Sequence, residues 1–102
     1  MKPHRIRTPR QEITAENYLY QAILTLQTPK ECKRFFRDLC TPAELQALTD
    51  RWSVVEPLVH GVPYRKISEK TGVSVTTIGR VARFLTDGNG GYRITYDRLK
   101  KN

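Results

Sequence analysis

Apolar residues recur at spacings of three and four along most of the chain, and alternating runs are few, which predicts an all-α fold. Over Ala15 to Gln27 the stripe is Tyr18, Leu19, Ala22, Ile23 and Leu26, behind Thr14 as the expected cap. Thr28-Pro29-Lys30-Glu31 has the form of a capping box with proline at the first helical position. It starts a helix to about Leu39, with Cys32, Phe35, Phe36 and Leu39 facing inward. The same device recurs as Thr41-Pro42-Ala43-Glu44 and opens the longest predicted helix, Pro42 to about His60, ended by Gly61. Its stripe is Leu45, Leu48, Trp52, Val55 and Val59, with Leu58 beside them; it suits a monomer core or a partner helix, and Trp52 is assigned to the core. Pro57 cannot donate to the carbonyl of Ser53, and its ring crowds that turn, so a kink or early fray is expected there.

The stretch Val62 to Leu85 splits into two short helical patterns around Thr71-Gly72-Val73-Ser74. Tyr64, Ile67 and Thr71 share one face of the first; Val75, Ile78, Val81, Ala82 and Leu85 recur at helical spacing in the second. Gly72 stands where a sharp turn needs a left-handed backbone, and Ser74 where the second helix needs a cap. Two short helices joined by a Gly-containing turn are the helix-turn-helix pattern, here spanning about 64–86. Arg65, Ser68, Val75, Thr76, Thr77, Gly79 and Arg80 are left for the outer surface. Five basic residues (Arg65, Lys66, Lys70, Arg80, Arg83) stand against one acidic residue, Glu69, in this stretch.

That surface suits double-stranded DNA. A major groove admits one α-helix, and the first residues of the second helix would meet base edges. Thr76 and Thr77 offer hydroxyls and methyls, Val75 an apolar contact to a thymine methyl. Arg65 and Lys66 open the first helix and would reach phosphates, helped by the N–H groups at each helix start. The plain alternative is a helical hairpin with a solvated basic face.

Charge strengthens the DNA reading. The 102 residues carry 18 Lys and Arg against 10 Asp and Glu, a net +8 that favours a polyanionic partner. So short a chain has limited room for a core, which makes oligomerisation a natural remedy. No run is long and apolar enough for a membrane span, and no signal-peptide core follows the start, so no membrane role and a cytoplasmic location are expected. Residues 1–13, with Lys2, Arg5, Arg7, Arg10 and two prolines, read as a flexible basic arm preceding a helical domain over 14–102. The arm suits DNA phosphates or a minor groove, and equally a solvated end. Past Leu85, Thr86-Asp87-Gly88-Asn89-Gly90-Gly91 ends the second hairpin helix. Tyr92, Tyr96 and Leu99 then fit a short terminal helix; Ile94 and Tyr96 would also suit an extended segment.

Enzyme chemistry finds little support. No catalytic residues, metal ligands or cofactors are expected: there is no Gly-rich phosphate loop, nucleophile elbow, paired-carboxylate pattern or metal-ligand cluster. Cys32 and Cys40 lie about 12 Å apart along a helix, too far for a disulfide, and suit small apolar core positions. His60, before Gly61, suits a helix C-terminus.

The run Phe36 to Leu85 resembles the Trp repressor superfamily. The matching pieces are Thr41-Pro42-Ala43-Glu44-Leu45, Ala47-Leu48-Thr49-Asp50-Arg51, Val55-Glu56, Gly61 and Thr77-Ile78-Gly79-Arg80. Cys32 to Thr41 and Thr86-Asp87-Gly88-Asn89 look more like its YerC/YecD-type branch. The resemblance implies an intertwined, all-helical homodimer with one helix-turn-helix per subunit. It also implies DNA contacts at Arg65, Ser68, Val75, Thr76, Thr77, Gly79 and Arg80. Gly79 replaces a hydroxyl-bearing residue and Ser68 a basic one, so the target sequence is expected to differ. The two arginines that flank the corepressor indole map to Arg51 and Arg80, a sound stacking arrangement. The small residues that leave room for it map to Val81 and Phe84, which would fill the space, so tryptophan is not expected to bind. Arg51 would then serve as an ion-pair or dimer-interface residue. Two further readings stay open. One is a repressor gated by a different small ligand at Arg51, Arg80 and Phe84. The other is a helical protein-interaction module, separable by salt-dependent DNA binding.

Overall fold

The computed structural model describes residues 6–101, and all the regular structure in them is helical: α1 (Pro9–Ile23), α2 (Pro29–Leu39), α3 (Pro42–Ser53), α4 (Val55–Val59), α5 (Tyr64–Thr71), α6 (Val75–Asp87) and α7 (Gly91–Lys101). The expected all-α class is what is found. The chain divides into two compact units between Cys40 and Thr41.

The first unit holds α1 and α2. Helix α1 starts earlier than the periodicity suggests. Thr8 is its cap: the Gln11 N–H donates to the Thr8 hydroxyl at 3.2 Å, and the Thr8 N–H donates to the Gln11 side chain at 2.8 Å. With Pro9 at the first helical position, this is a complete capping box. Thr14, the expected cap, lies inside the helix and donates its hydroxyl back to the Arg10 carbonyl at 3.1 Å. Residues 9–13 of the expected arm are therefore helical; the part at residues 1–5 lies outside the described residues. The helix ends at Ile23, short of Gln27. Helix α2 begins at Pro29 as expected, with the Glu31 N–H on the Thr28 hydroxyl at 3.1 Å. Its box differs from expectation: the Glu31 carboxylate accepts from the Gln27 N–H, one residue further out. Phe35 and Phe36 meet edge to face at 5.4 Å. No residue of α1 or α2 is buried.

The second unit holds α3 to α7. Thr41 and Glu44 form the reciprocal box as expected, at 3.1 and 2.8 Å. The long helix is not continuous. It breaks at Val54 (φ −95°, ψ −2°), and α4 carries on from Val55. This is the Pro57 effect, displaced. A proline ring acts on the turn before it, and the bond that Ser53 would have accepted is the one it deletes. At the far end of α4 the Gly61 N–H reaches the Leu58 carbonyl and the Val62 N–H reaches the Pro57 carbonyl, with Gly61 at φ +73°. These are the two bonds of a Schellman motif.

The core is Val54, Val55, Ile67, Val73, Ile78, Val81 and Tyr96, with Leu58, Val59, Val62, Leu85 and Tyr92 packed against it. It fastens α5 and α6 to the α4 strut. Helix α7 closes one side, resolving the choice at the tail in favour of helix: the Tyr96 hydroxyl lies 3.3 Å from Glu56 Oε2 and 3.4 Å from His60 Nε2. Lys100 pairs with Glu56 and holds its carboxyl below the usual carboxylate range, while Glu56 raises the Lys100 ammonium. Trp52 departs from expectation. It is 36 % exposed and stacked on Tyr92 at 6.4 Å rather than enclosed. Helix α3 contributes no buried residue, so in a single chain the Leu48 and Trp52 side remains uncovered.

Candidate nucleic-acid interface

The candidate interface comprises α5, its turn and the first half of α6. Helix α5 follows Pro63, which supplies extended backbone and no side-chain cap. The N–H groups of its first turn therefore lack a side-chain acceptor, and Arg65 and Lys66 project from the same turn, both exposed. Only Ile67 of the expected inner face is buried; Tyr64 and Thr71 stay exposed. Thr71 acts on the turn instead, donating to the Ile67 carbonyl at 2.7 Å and accepting from the Val73 N–H at 3.1 Å. Gly72 takes φ +77°, the left-handed conformation the spacing required, and its N–H closes on the Ser68 carbonyl at 2.8 Å. Val73 then enters the core.

Ser74 caps α6, accepting from the Thr77 N–H at 3.1 Å. Its hydroxyl also donates to the Thr77 hydroxyl oxygen at 3.0 Å. Thr77 is thus half-buried with its oxygen engaged, keeping its own O–H to donate outward. Val75 is 52 % exposed and Thr76 is exposed, whereas Ile78 and Val81 are 0 % and 1 % exposed. The first turn of α6 is therefore presented, and the next anchors it. Gly79 is half-buried beneath Tyr64: a Cβ there would stand 3.7 Å from the Tyr64 ring. Ser68 is half-buried, with its carbonyl in the turn; Arg80 is exposed.

Arg51, Arg80 and Phe84 behave differently from one another. The Arg80 guanidinium lies 5.8 Å from the centre of the Phe84 ring, within cation–π range. Val81 is sealed in the core, and Phe84 stays partly exposed. Arg51 is half-buried and makes no ion pair with another described residue. Phe84 also lines an open groove of about 450 Å³ with Trp52, Asn89, Gly91, Tyr92 and Thr95; neither arginine lines it. This aromatic groove is absent from the sequence reading, because pairing Trp52 with Tyr92 needs the α3–α7 geometry. Cys32 and Cys40 are free thiols, each half-buried. Among the described residues no cluster suits a metal ion, and no helix is long and apolar enough to cross a membrane.

Comparison with known proteins adds an independent line. A family model described as Trp repressor protein matches residues 15–100. The uncharacterized protein YerC of Bacillus subtilis (strain 168) is 46 % identical over 83 residues, covering 81 % of this chain and 80 % of that protein. A crystal structure of a TrpR-like protein from Eubacterium eligens ATCC 27750 superposes with a TM-score of 0.81 at 42 % identity, covering 85 % of this chain and 90 % of the other. That of a putative Trp repressor from Staphylococcus aureus gives 0.82 at 38 % identity, covering 92 % and 96 %. With an Ser74-capped α6 set across α5 on one core, and these matches spanning most of its length, the chain belongs to the Trp repressor family of helix-turn-helix regulators, as a YerC-type member.

Proposed function

We propose that this protein is a dimeric, sequence-specific DNA-binding transcriptional regulator that reads the major groove with the start of α6 and needs no tryptophan to do so. The observation that carries this reading is the contrast within α6. Val75 and Thr76 are exposed while Ile78 and Val81 are locked in the core, so the first turn projects from a rigid base. A major groove accommodates such a helix and reads it through short polar and methyl groups. Arg65, Lys66 and Arg80 surround that turn with positive charge for phosphates; Ser68, Thr77 and Gly79 lie closer in.

Dimerisation follows from what a single chain leaves uncovered. None of α1, α2 and α3 buries a residue, and Ile13, Tyr18, Leu24, Leu48 and Trp52 are all exposed. So much apolar surface on so small a chain calls for a partner, and a second copy supplies it. Two-fold symmetry then sets two reading heads about 34 Å apart on a near-palindromic site. Independence from tryptophan rests on Val81 and Phe84. Val81 fills core volume, and the Arg80 guanidinium already has an aromatic face, that of Phe84.

Selection from a randomised duplex pool with purified protein, with and without tryptophan, tests this. The expected result is a recurring near-palindrome, unchanged by the amino acid. Failure to enrich any sequence contradicts the reading head, and enrichment only with tryptophan contradicts the self-filled pocket.

A further inference from the structure

Helix α2 carries a feature that the reading head does not use. Lys30, Lys33, Arg34 and Arg37 follow one another at i, i+3, i+4 and i+7, and all four are exposed. At about 100° per residue they fall within an arc of about 100°. Cys32, Phe35, Phe36 and Leu39 occupy the opposite arc, and Glu31 and Asp38 lie together on one flank. An interfacial membrane helix sinks its apolar face in lipid. Here Cys32, Phe35 and Phe36 are already half-covered by the protein, and the cations point directly away from them.

An ordinary solvated helix face mixes signs, with Glu-to-Lys pairs four residues apart. This one keeps its opposite charges, Glu31 and Asp38, on the Arg34 flank, three and four residues from that arginine, and gives Lys30, Lys33 and Arg37 only like-charged neighbours on the face itself. Lys30–Arg34 and Lys33–Arg37 are like-charge pairs at i,i+4, an arrangement that weakens a helix. Glu31 is engaged by the Gln27 N–H, and none of the four cations has an ion pair among the described residues. Elsewhere Arg7, Arg93 and Lys100 each have one. Four exposed cations along about 10 Å of axis, with acidic residues on one flank only, match a partner whose own charges repeat every few ångströms, as duplex phosphates do.

We propose that the outer face of α2 is a second DNA-binding surface, one that grips duplex phosphates without reading sequence. This rests on the DNA-binding reading above and extends it to a different element. It supplies affinity for any duplex, leaving the choice of site to α6.

The test compares wild type with Lys33→Gln/Arg34→Gln/Arg37→Gln, and with Arg93→Gln/Arg98→Gln/Lys101→Gln as an equal charge loss elsewhere. Each binds a long random-sequence duplex and the selected site over a range of salt. The α2 variant is expected to bind the random duplex roughly tenfold or more weakly and to flatten its log–log salt dependence by about two to three, at about 0.9 per lost phosphate contact. Its preference for the selected site should stay within twofold of wild type, and its circular dichroism unchanged. The α7 variant should keep a slope close to wild type. An α2 variant with the wild-type slope overturns the proposal, as does an equal loss in the α7 variant. So does a loss seen only on vesicles of anionic lipid, titrated alongside, and not on the duplex. Strong random-duplex binding without any preferred site would leave α2 standing and remove the reading head; a preferred site with an unaltered α2 slope would do the opposite.

Discussion

Thr77 and Ser74 share one small network, and its two halves have separable effects. Ser74 accepts from the Thr77 N–H and donates to the Thr77 hydroxyl oxygen. Ser74→Ala should lower stability by about 1 kcal/mol, the usual loss for a serine cap, read from denaturant unfolding. Thr77→Val removes the hydroxyl and keeps the backbone bond, so it should cost less. Gly79 tests a different point. Its Cβ position is open at ordinary contact distance from Tyr64, so Gly79→Ala should stabilise by about 0.5–1 kcal/mol through helix propensity, measured in the same way. A destabilising result would mean that the Tyr64 ring does not accommodate the added methyl. Gly72 and Ser74 were legible from type and position alone, because few residues do what they do. The division of labour between Thr76 and Thr77 was not, because it depends on which rotamer meets the cap.

A threonine before a proline starts a helix at three places, and only two of them were legible. Thr8-Pro9-Arg10-Gln11 has the same form as Thr28-Pro29-Lys30-Glu31 and Thr41-Pro42-Ala43-Glu44. It was hidden by the basic residues around it, which suggest an arm, and by Thr14, which sits ahead of a clearer stripe. The break at Val54 shows the other limit: Pro57 foretells a break, but the residue that yields depends on the turn before it. The strap between α4 and α7 was invisible in sequence, since Glu56 and Lys100 meet only in the fold. Glu56 sits below the usual carboxylate range, chiefly through its bond to Lys100. A depressed carboxyl stabilises the fold above its unfolded value, and that contribution is lost as pH falls through the folded one. Lys100 is raised, so its share is kept at neutral pH and lost on the alkaline side as pH rises through its folded value. Glu56→Gln should therefore melt below wild type at neutral pH. The gap should close as pH falls through and below the carboxylate range. Both side chains are half-exposed, so the gap should also shrink with added salt. A gap independent of pH would assign the effect to Tyr96 packing instead.

For the whole molecule, the single chain is unbalanced. Residues 41–101 enclose a core, while α1 and α2 bury no residue. Helical period tells which side of α3 is apolar but not what covers it, and for that reason Trp52 was placed in a core it does not fill. On the proposed dimer, sedimentation should give twice the chain mass at micromolar concentration; a stable folded monomer would contradict it. Charge and periodicity pointed to the class of partner, and the turn residues to the element that meets it. Which bases it prefers depends on side-chain directions that only a bound duplex fixes.

The central claim is that the exposed first turn of α6 chooses the sequence. Its most direct measurement is the ratio of affinities for the selected site and a scrambled one, taken for wild type, Thr76→Ala and Lys66→Gln. The account predicts that Thr76→Ala lowers the ratio about fivefold or more, equivalent to ~1 kcal/mol of base discrimination, whereas Lys66→Gln weakens both duplexes alike and leaves the ratio unchanged. A ratio untouched by Thr76→Ala, or lost with Lys66→Gln, would contradict it.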